Sequence, residues 1–271
     1  MRNELGIAPL TDRSLSALDF VKTAAAAGFD ATGVRVFPVT ADDPVLEYGS
    51  TEFDEVRRAV ADTGIRVLDI EVCVVEPGTE RDFWRRGFEM GAQLGASYVN
   101  IVGRTPDAGL FASKLAELTA DAHEVGLQPV LETVNYTDLN SFDTAVRLAR
   151  EVGCQVELDA LHFLRTGATV ELIAENADLF PIFQLCDAPA VLTAADGGRP
   201  SVADEIEESR HGRLMPGDGD APIRELLRLL PDDAWVSVEV VNARLRAQYD
   251  AQGYMEMLLR ECRSYLSTVA V

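Results

Sequence analysis

The sequence predicts an α/β protein of the (β/α)8 or TIM-barrel class, a single domain over residues 1–271. Three observations predict it. Short apolar runs alternate with helical patterns eight times, and the helical patterns repeatedly stop on Gly just before the next apolar run, as parallel strands with crossover helices require. A length of 271 residues suits one such barrel. The rival, an open doubly wound sheet, normally carries a glycine-rich turn after its first strand, and Ala8-Pro-Leu-Thr-Asp12 does not resemble G-x-G-x-x-G.

Leu5 to Ala8 reads as the first strand, and Ser14 to Ala27 as a helix that stops on Gly28. Strand two is Ala31 to Phe37, with Arg35 near its C-terminal end. A helix over Thr51 to Thr63, with Thr51 as N-cap, stops on Gly64 before strand three, Ile65 to Val75, which carries Glu71 toward the loop side. Helix Arg81 to Leu94, strand Tyr98 to Gly103 and helix Asp107 to Val125 follow, the last stopped by Gly126. Strand five is Leu127 to Glu132, and helix five runs from Ser141, its cap, to Val152 before Gly153.

Cys154 to Leu158 alternates apolar and polar residues as a strand does, and Asp159 closes it. The next helical pattern begins only at Val170, so Asp159 and His162 are expected on a strand-to-helix loop, a common address for function. Strand seven is Pro181 to Cys186. The connection from Asp187 to Asp220 is the longest in the chain and is expected to be a lid, at about 187–220, before a helix over Pro222 to Leu230. Strand eight, Trp235 to Val241, and a helix over Asp250 to Ser267 complete the pattern.

With 47% hydrophobic and 25% charged residues the composition is globular, and no apolar run reaches the roughly 20 residues that span a bilayer. The N-terminal Met-Arg-Asn-Glu-Leu-Gly lacks the apolar core of a signal peptide, so a cytoplasmic location is expected. A net charge of −21 repels phosphate backbones and anionic lipid, which argues against nucleic acid and membrane as partners and leaves a small molecule, with a homo-oligomer left open. Cys73, Cys154, Cys186 and Cys262 form no C-x-x-C pair and read as reduced thiols.

If the barrel closes, its C-terminal strand ends surround one pocket, and Glu132, Asp159, Gln184 and Glu239 converge there. Three carboxylates brought together repel one another and need protons or a cation; a divalent metal is the simplest remedy. With an amide oxygen as fourth donor the set is all hard oxygen, which favours Mn²⁺ or Mg²⁺, with Co²⁺ and Zn²⁺ as alternatives. Separate carboxylates that cap helices or pair with arginines are the other reading of the same residues. Arg35 and Arg104 are placed to hold a carboxylate or phosphate, or to pair with protein acids. His123 reads as a helix-end cation, and His211 lies in the long connection.

The chain resembles the xylose isomerase-like TIM-barrel sugar phosphate isomerase/epimerase superfamily along its whole length. The resemblance is carried by Gly91-Ala-Gln-Leu-Gly-Ala-Ser-Tyr-Val-Asn-Ile, Glu132 at the end of strand five, Leu158-Asp159-Ala-Leu-His162, Phe183-Gln184-Leu-Cys-Asp187, Arg213-Leu-Met-Pro-Gly-Asp-Gly219 and Glu239. It implies that Glu132, Asp159, Gln184 and Glu239 hold one divalent metal and that His162 and Arg213 lie near substrate oxygens. It further implies that Glu132 and Glu239 remove and return a proton α to the carbonyl of a keto sugar or cyclic polyol ketone, through an enediolate, as an isomerase or epimerase does. Many members have histidine where this chain has Gln184, and some dehydratases of the superfamily carry Gln there. A dehydratase of the 3-dehydroshikimate or keto-inositol type, with His162 or another acid protonating a leaving hydroxyl, is therefore the alternative. A related apurinic-site endonuclease would need many histidine ligands and a basic surface, against three histidines and net negative charge here, and a non-catalytic sugar-binding barrel would retain three acids at a cost in stability.

Overall fold

In the computed structural model, which describes residues 4–38, 45–194 and 196–269, eight parallel strands close in sequence order, with the first paired to the last. They are β1 (Leu5–Ile7), β2 (Ala31–Arg35), β3 (Arg66–Val75), β4 (Tyr98–Gly103), β5 (Gln128–Glu132), β6 (Gln155–Asp159), β7 (Ile182–Leu185) and β8 (Trp235–Val238). Between and after them run α1 (Ala17–Ala27), α2 (Thr51–Thr63), α3 (Arg81–Leu94), α4 (Ala108–Glu124), α5 (Phe142–Val152), α6 (Ala160–Thr166), α7 (Val170–Glu175), α8 (Val202–His211), α9 (Ile223–Leu229), α10 (Ala243–Arg246) and α11 (Ala251–Val269). The fold is a TIM barrel, as the alternation of strand and helix predicts. Met1–Asn3, where the N-terminal reading begins, lie outside the described residues. No helix among the described residues is long and apolar enough to cross a membrane.

Helix α5 shows how sequence builds the outer layer. Ser141 has extended backbone and its hydroxyl accepts from the Thr144 N–H, which satisfies one of the free donors at the helix start. Phe142, Ala145, Val146, Leu148 and Ala149 recur at helical spacing and are all buried, and Gly153 ends the helix at φ 82°, a conformation that costs other residues more. Phe142 meets the rings of Phe163 and Phe180 at 6.1 and 6.4 Å. Burying such a side chain contributes roughly 1.5–3 kcal/mol.

Three expectations are corrected. The cap of α2 is Ser50, whose hydroxyl accepts from Phe53 N–H, so Thr51 is the first helical residue and not the N-cap. Asp159 and His162 do not stand on a loop: Asp159 ends β6 and caps α6, and His162 lies in the first turn of that helix. The run Ala160-Leu-His-Phe163 is buried throughout, so it lacks the apolar-polar spacing by which a surface helix is read. Strand β8 ends at Val238, and Glu239 is the next residue, although its N–H still donates to Leu185 O at 3.1 Å.

The connection after β7 is not structureless. It contains α8, opened by a reciprocal cap between Ser201 and Asp204, and returns to the barrel through an antiparallel bridge between Asp187 and Leu214. The Asp187 carboxylate accepts from the N–H groups of Gly217, Gly219 and Ala221 at 2.9, 3.1 and 3.0 Å. At Gly219 a Cβ would fall 2.5 Å from both Ala188 O and Asp187 Oδ1, so only glycine lets the segment close on that carboxylate. This clamp, with Arg213 N–H donating to Val241 O at 3.0 Å, fixes Arg213 at the barrel mouth.

Inside the barrel the N-terminal end is plugged by Ala31, Leu68, Val130 and Ile182, with Tyr98 and Trp235 against them. Toward the C-terminal ends the filling becomes polar, with Asp69, Asn100 and Glu157 buried below the mouth.

Candidate active site

The candidate residues arrive from consecutive strand ends on one half of the barrel. Glu132 ends β5, Asp159 ends β6, Gln184 lies in β7 in register with Asp159, and Glu239 follows β8. All four are buried. Glu132, His162, Gln184, Arg213 and Glu239 line one cavity that opens to solvent at the barrel mouth. Asp159 is fully buried behind Arg213.

Arg213, expected near substrate oxygens, lines the cavity and also touches two of the predicted metal ligands. Its Nη1 donates to Asp159 Oδ2 at 2.5 Å and its Nη2 lies 2.8 Å from Glu239 Oε2, so it is paired with two of the predicted metal ligands, and not with Glu207 or Asp218 of its own connection. Its Nε donates to Ser209 O at 2.9 Å, and Nη1 also approaches Cys186 Sγ at 3.1 Å. Burial works against the charge of Arg213, but Asp159 and Glu239 hold it protonated. Burial likewise works to raise the Asp159 carboxyl, and the Arg213 guanidinium together with His162 brings it below the ordinary range.

The glutamates behave in the opposite sense. Burial, reinforced by the charge of Asp159, pushes Glu132 up to about 8, against the lowering influence of Asn100 and Arg213. Burial drives Glu239 well above the usual carboxylate range even with Arg213 beside it. The site thus separates its acids into one held ionised and two ready to carry protons when no other cation is present.

His162 is fixed as a neutral ring. Its Nδ1 lies 2.6 Å from Asn135 Oδ1, while Asn135 Nδ2 donates to Glu205 Oε2 of α8 at 3.0 Å. Because a carboxylate can only accept, Glu205 sets which way the Asn135 amide faces, and the amide oxygen in turn accepts a hydrogen bond from the His162 Nδ1–H. The Nε2 lone pair then faces Glu132 Oε1, 3.7 Å away. Burial lowers the imidazole to about 4.

Asn135, Asn100, Asp69 and Glu157 take part in this arrangement and were not singled out from sequence. Asn100 Nδ2 bridges the carboxylates of Glu132 and Glu157. Burial raises Glu157 and Asp69 well above the ordinary range, with Glu132 adding to both shifts. For three of them the signal was present, since each is a polar residue inside an apolar run: Val-Leu-Asp69-Ile, Val-Asn100-Ile and Val-Glu157-Leu; Asn135 stands in a polar loop segment and carries no such mark. Arg35 pairs with Glu71 at 3.2 Å, as the protein-acid reading expected, and His211 pairs with Glu207 at 2.9 Å on the surface. His123, exposed, lies 3.2 Å from Gln128 Oε1 at the end of α4.

The residues present fit a divalent cation. Gln184 donates its amide N–H to Glu239 Oε1 at 3.3 Å, but its own Oε1 is buried with no hydrogen-bond partner. Glu239 Oε2 lies against the Arg213 guanidinium at 2.8 Å. A buried amide oxygen left without a donor among carboxylates is costly, and a cation is a partner that satisfies it. Glu132, Asp159 and His162 also offer ligand atoms within 4.8 Å of one another, a mixed oxygen and nitrogen set.

The solved structures that this chain resembles share its fold. One titled as the IOLI protein with a binding zinc atom is 17% identical with a TM-score of 0.73, covering 98% of this chain and 97% of that one. A probable 3-DHS dehydratase, AsbF, from Bacillus anthracis is 13% identical at TM-score 0.70, covering 95% and 97%. A D-allulose 3-epimerase from Methylomonas sp. is 12% identical at TM-score 0.63, covering 99% and 98%. A further match, a xylose isomerase-like TIM barrel/4-hydroxyphenylpyruvate dioxygenase fusion protein at 22% identity and TM-score 0.76, is covered over only 44% of its length. Among curated proteins no sequence matches. The family model described as xylose isomerase-like TIM barrel matches residues 21–261, nearly the whole barrel, and the chain belongs to that family.

Proposed function

We propose that the protein is a divalent-metal-dependent enzyme that moves a proton at the carbon next to the carbonyl of a small polyhydroxylated ketone, as a sugar isomerase or epimerase. The observation that carries this reading is the buried Gln184 Oε1, an acceptor with no donor, set among Glu132, Asp159 and Glu239. Those four residues would hold the ion, which when bound supplies Lewis-acid polarisation of the substrate carbonyl. Mn²⁺ or Mg²⁺ suits the oxygen set, whereas recruitment of His162 Nε2 would shift the site toward Zn²⁺ or Co²⁺.

The chain's own residues supply the proton chemistry. Glu132 and Glu239 lie three strands apart on the same cavity. The ionised one of the pair accepts the proton from carbon, and the other, protonated, returns one to the neighbouring carbon or to the opposite face. Asn100 orients Glu132 from below. Arg213 neutralises Asp159 and Glu239 and reaches the cavity wall, where it limits the repulsion that a developing negative charge on the substrate would meet. The connection after β7 would serve as a lid, since Ser209 and Arg210 of α8 line the cavity and Tyr136 OH and Asn135 tie that helix to the β5 end.

Dehydration is the second reading, favoured by Gln184 in a position where some dehydratases of the superfamily carry Gln and by the fold shared with the AsbF structure. In that case the leaving hydroxyl takes its proton from Glu132 or Glu239. His162 is a poor donor, because its Nδ1 proton is committed to Asn135 and its Nε2 is bare. The test is incubation of the purified protein with Mn²⁺, Mg²⁺ or Zn²⁺ and a panel of keto sugars, inososes and 3-dehydroshikimate in D2O, followed by NMR. Metal-dependent deuterium uptake without loss of water supports the first reading, and uptake with a dehydrated product supports the second. Glu239→Gln should abolish both. No uptake from any substrate, in protein that also retains no divalent ion, would count against an enzyme of this kind.

A further inference from the structure

We propose that Glu205 on the lid helix α8 is a positioning residue: by docking on Asn135 it selects the tautomer of His162, so that the ring faces the cavity as an acceptor only while the lid is down. The inference deepens the reading above and rests on it for what the ring then meets. Glu205, Glu208 and Ser209 stand three and four residues apart, on one face of α8. Glu205 Oε2 accepts from Asn135 Nδ2 at 3.0 Å, Ser209 Oγ lies 3.3 Å from Tyr136 Oη, and the Arg165 guanidinium holds Glu208 at 2.7 and 2.5 Å. Arg165 belongs to α6, the helix that carries His162, and its Nη2 also donates to Pro189 O near the start of the connection, at 2.8 Å. One face of the lid helix thus docks on α6 and on Asn135 and Tyr136, the two residues that touch the His162 ring.

The barrel alone does not fix the ring. Its Nε2 lies 3.7 Å from Glu132 Oε1, beyond hydrogen-bond distance, and among the described residues its Nδ1 meets Asn135 Oδ1 at 2.6 Å. The two ends of an amide are alike in shape and opposite in sense. With Oδ1 toward the ring, Nδ1 carries the proton and Nε2 presents a lone pair to the cavity. With Nδ2 toward the ring, Nδ1 is bare and the proton sits on Nε2, on the side of Glu132. The choice falls to whatever holds the far end of the amide, and that group is on the lid. A carboxylate cannot donate, so only the first arrangement satisfies both contacts. With α8 lifted, water serves either end of the amide and both tautomers are open. His162, which lines the cavity, then changes from an acceptor for a substrate hydroxyl into a donor.

The test reads the ring directly. The full chain is labelled with ¹⁵N-histidine and held with chelator at pH 8, where burial keeps the imidazole neutral, and long-range ¹H–¹⁵N correlation reports which nitrogen carries the proton. The chain has three histidines, and His162→Gln identifies the signals of interest by their loss. Wild type should carry the His162 proton on Nδ1. Glu205→Gln keeps the shape of the side chain but can donate as well as accept. The ratio of the Nε2–H to the Nδ1–H form should then rise at least about tenfold, because a charge-assisted bond gives way to one that a neutral amide makes either way round. Adding Asn135→Asp to that variant puts the group that can only accept beside the ring and the donor on α8, and the ratio should return to within about twofold of wild type. A merely structural tie would not be rescued by this exchange. The exposed Glu171→Gln on α7 should leave the ratio unchanged. With any accepted substrate, kcat should fall about tenfold in Glu205→Gln and recover in the double variant. A ratio in Glu205→Gln within about twofold of wild type, a double variant that does not restore it, or a kcat that stays put while the ratio moves would each overturn the proposal. A ratio that moves and recovers as stated, in a protein that turns over no ketone, would retire the reaction and leave the control of His162 by the lid standing.

Discussion

Arg213→Met removes a buried charge while keeping most of the side chain's volume, and the structure says what that should do. Arg213 touches Asp159 at 2.5 Å and Glu239 at 2.8 Å, and both acids are buried. Taking away one partner of a buried pair leaves an uncompensated charge, at a cost of about 3–5 kcal/mol. For a domain of this size each kcal/mol lowers Tm by about 2–4 °C, so the metal-free variant should melt about 6–20 °C below wild type. A divalent ion on the same acids feels the opposite effect. Two unit charges about 4 Å apart in a partly buried site interact by about 4 kcal/mol, so loss of the guanidinium should tighten metal binding by at least about tenfold even if most of that energy is screened.

Differential scanning calorimetry with chelator and then with graded Mn²⁺ separates the two effects. The chelated variant should show the large loss, and added Mn²⁺ should stabilise the variant more than wild type, while turnover of any accepted substrate falls. A chelated variant melting within about 2 °C of wild type, together with an equal response of both proteins to Mn²⁺, would show that Arg213 is not the counter-ion of this acid cluster.

The other expectations concern protons, ligand softness and the lid. Glu132 has its folded carboxyl at about 8 against an ordinary 4.5, so in metal-free protein its contribution to stability is present below about pH 4.5 and lost as pH rises through about 8. A cation relieves that loss, so the rise in Tm caused by Mn²⁺ should grow between pH 5.5 and 8.5; an equal rise at both ends would rule Glu132 out as the coupled group. Gln184→His exchanges an orphaned amide oxygen for a borderline nitrogen, and competition titrations should show zinc gaining on Mn²⁺; unchanged selectivity would place Gln184 outside the ligand set. Asn135→Ala frees the His162 ring and cuts the tie to Glu205, so kcat should drop about 10–100-fold with little change in Tm. Retention of full activity would mean that the orientation of His162 does not matter.

How much of this could be read from the chain depends on how far apart the interacting residues lie. Strands and helices are local, and the apolar runs closed by Gly located them to within a few residues. Glu132, Asp159, Gln184 and Glu239 were legible because each stands at or beside the C-terminal end of an apolar run, and closure of the barrel carries every such end to one mouth. What was not legible is pairing. Arg213 meets Asp159 across 54 residues and Glu239 from a different strand end, so nothing in the local pattern distinguishes it from Arg104, which meets no acid among the described residues. The same holds for Asp187, which looks like an ordinary strand-end turn former until Gly217, Gly219 and Ala221 are seen to point their N–H groups at it. Helix α6 escaped for a different reason: its first turn is buried on all sides because it packs between the site and α5, and periodicity reports only helices with a wet face. Sequence therefore locates charges by depth along each strand, whereas their assignment to partners waits on the order of strands around the ring. That order sets Glu132, Gln184 and Glu239 on one side of the cavity and Arg35, Glu71 and Arg104 on the other, and so makes the cavity polar from one wall to the other.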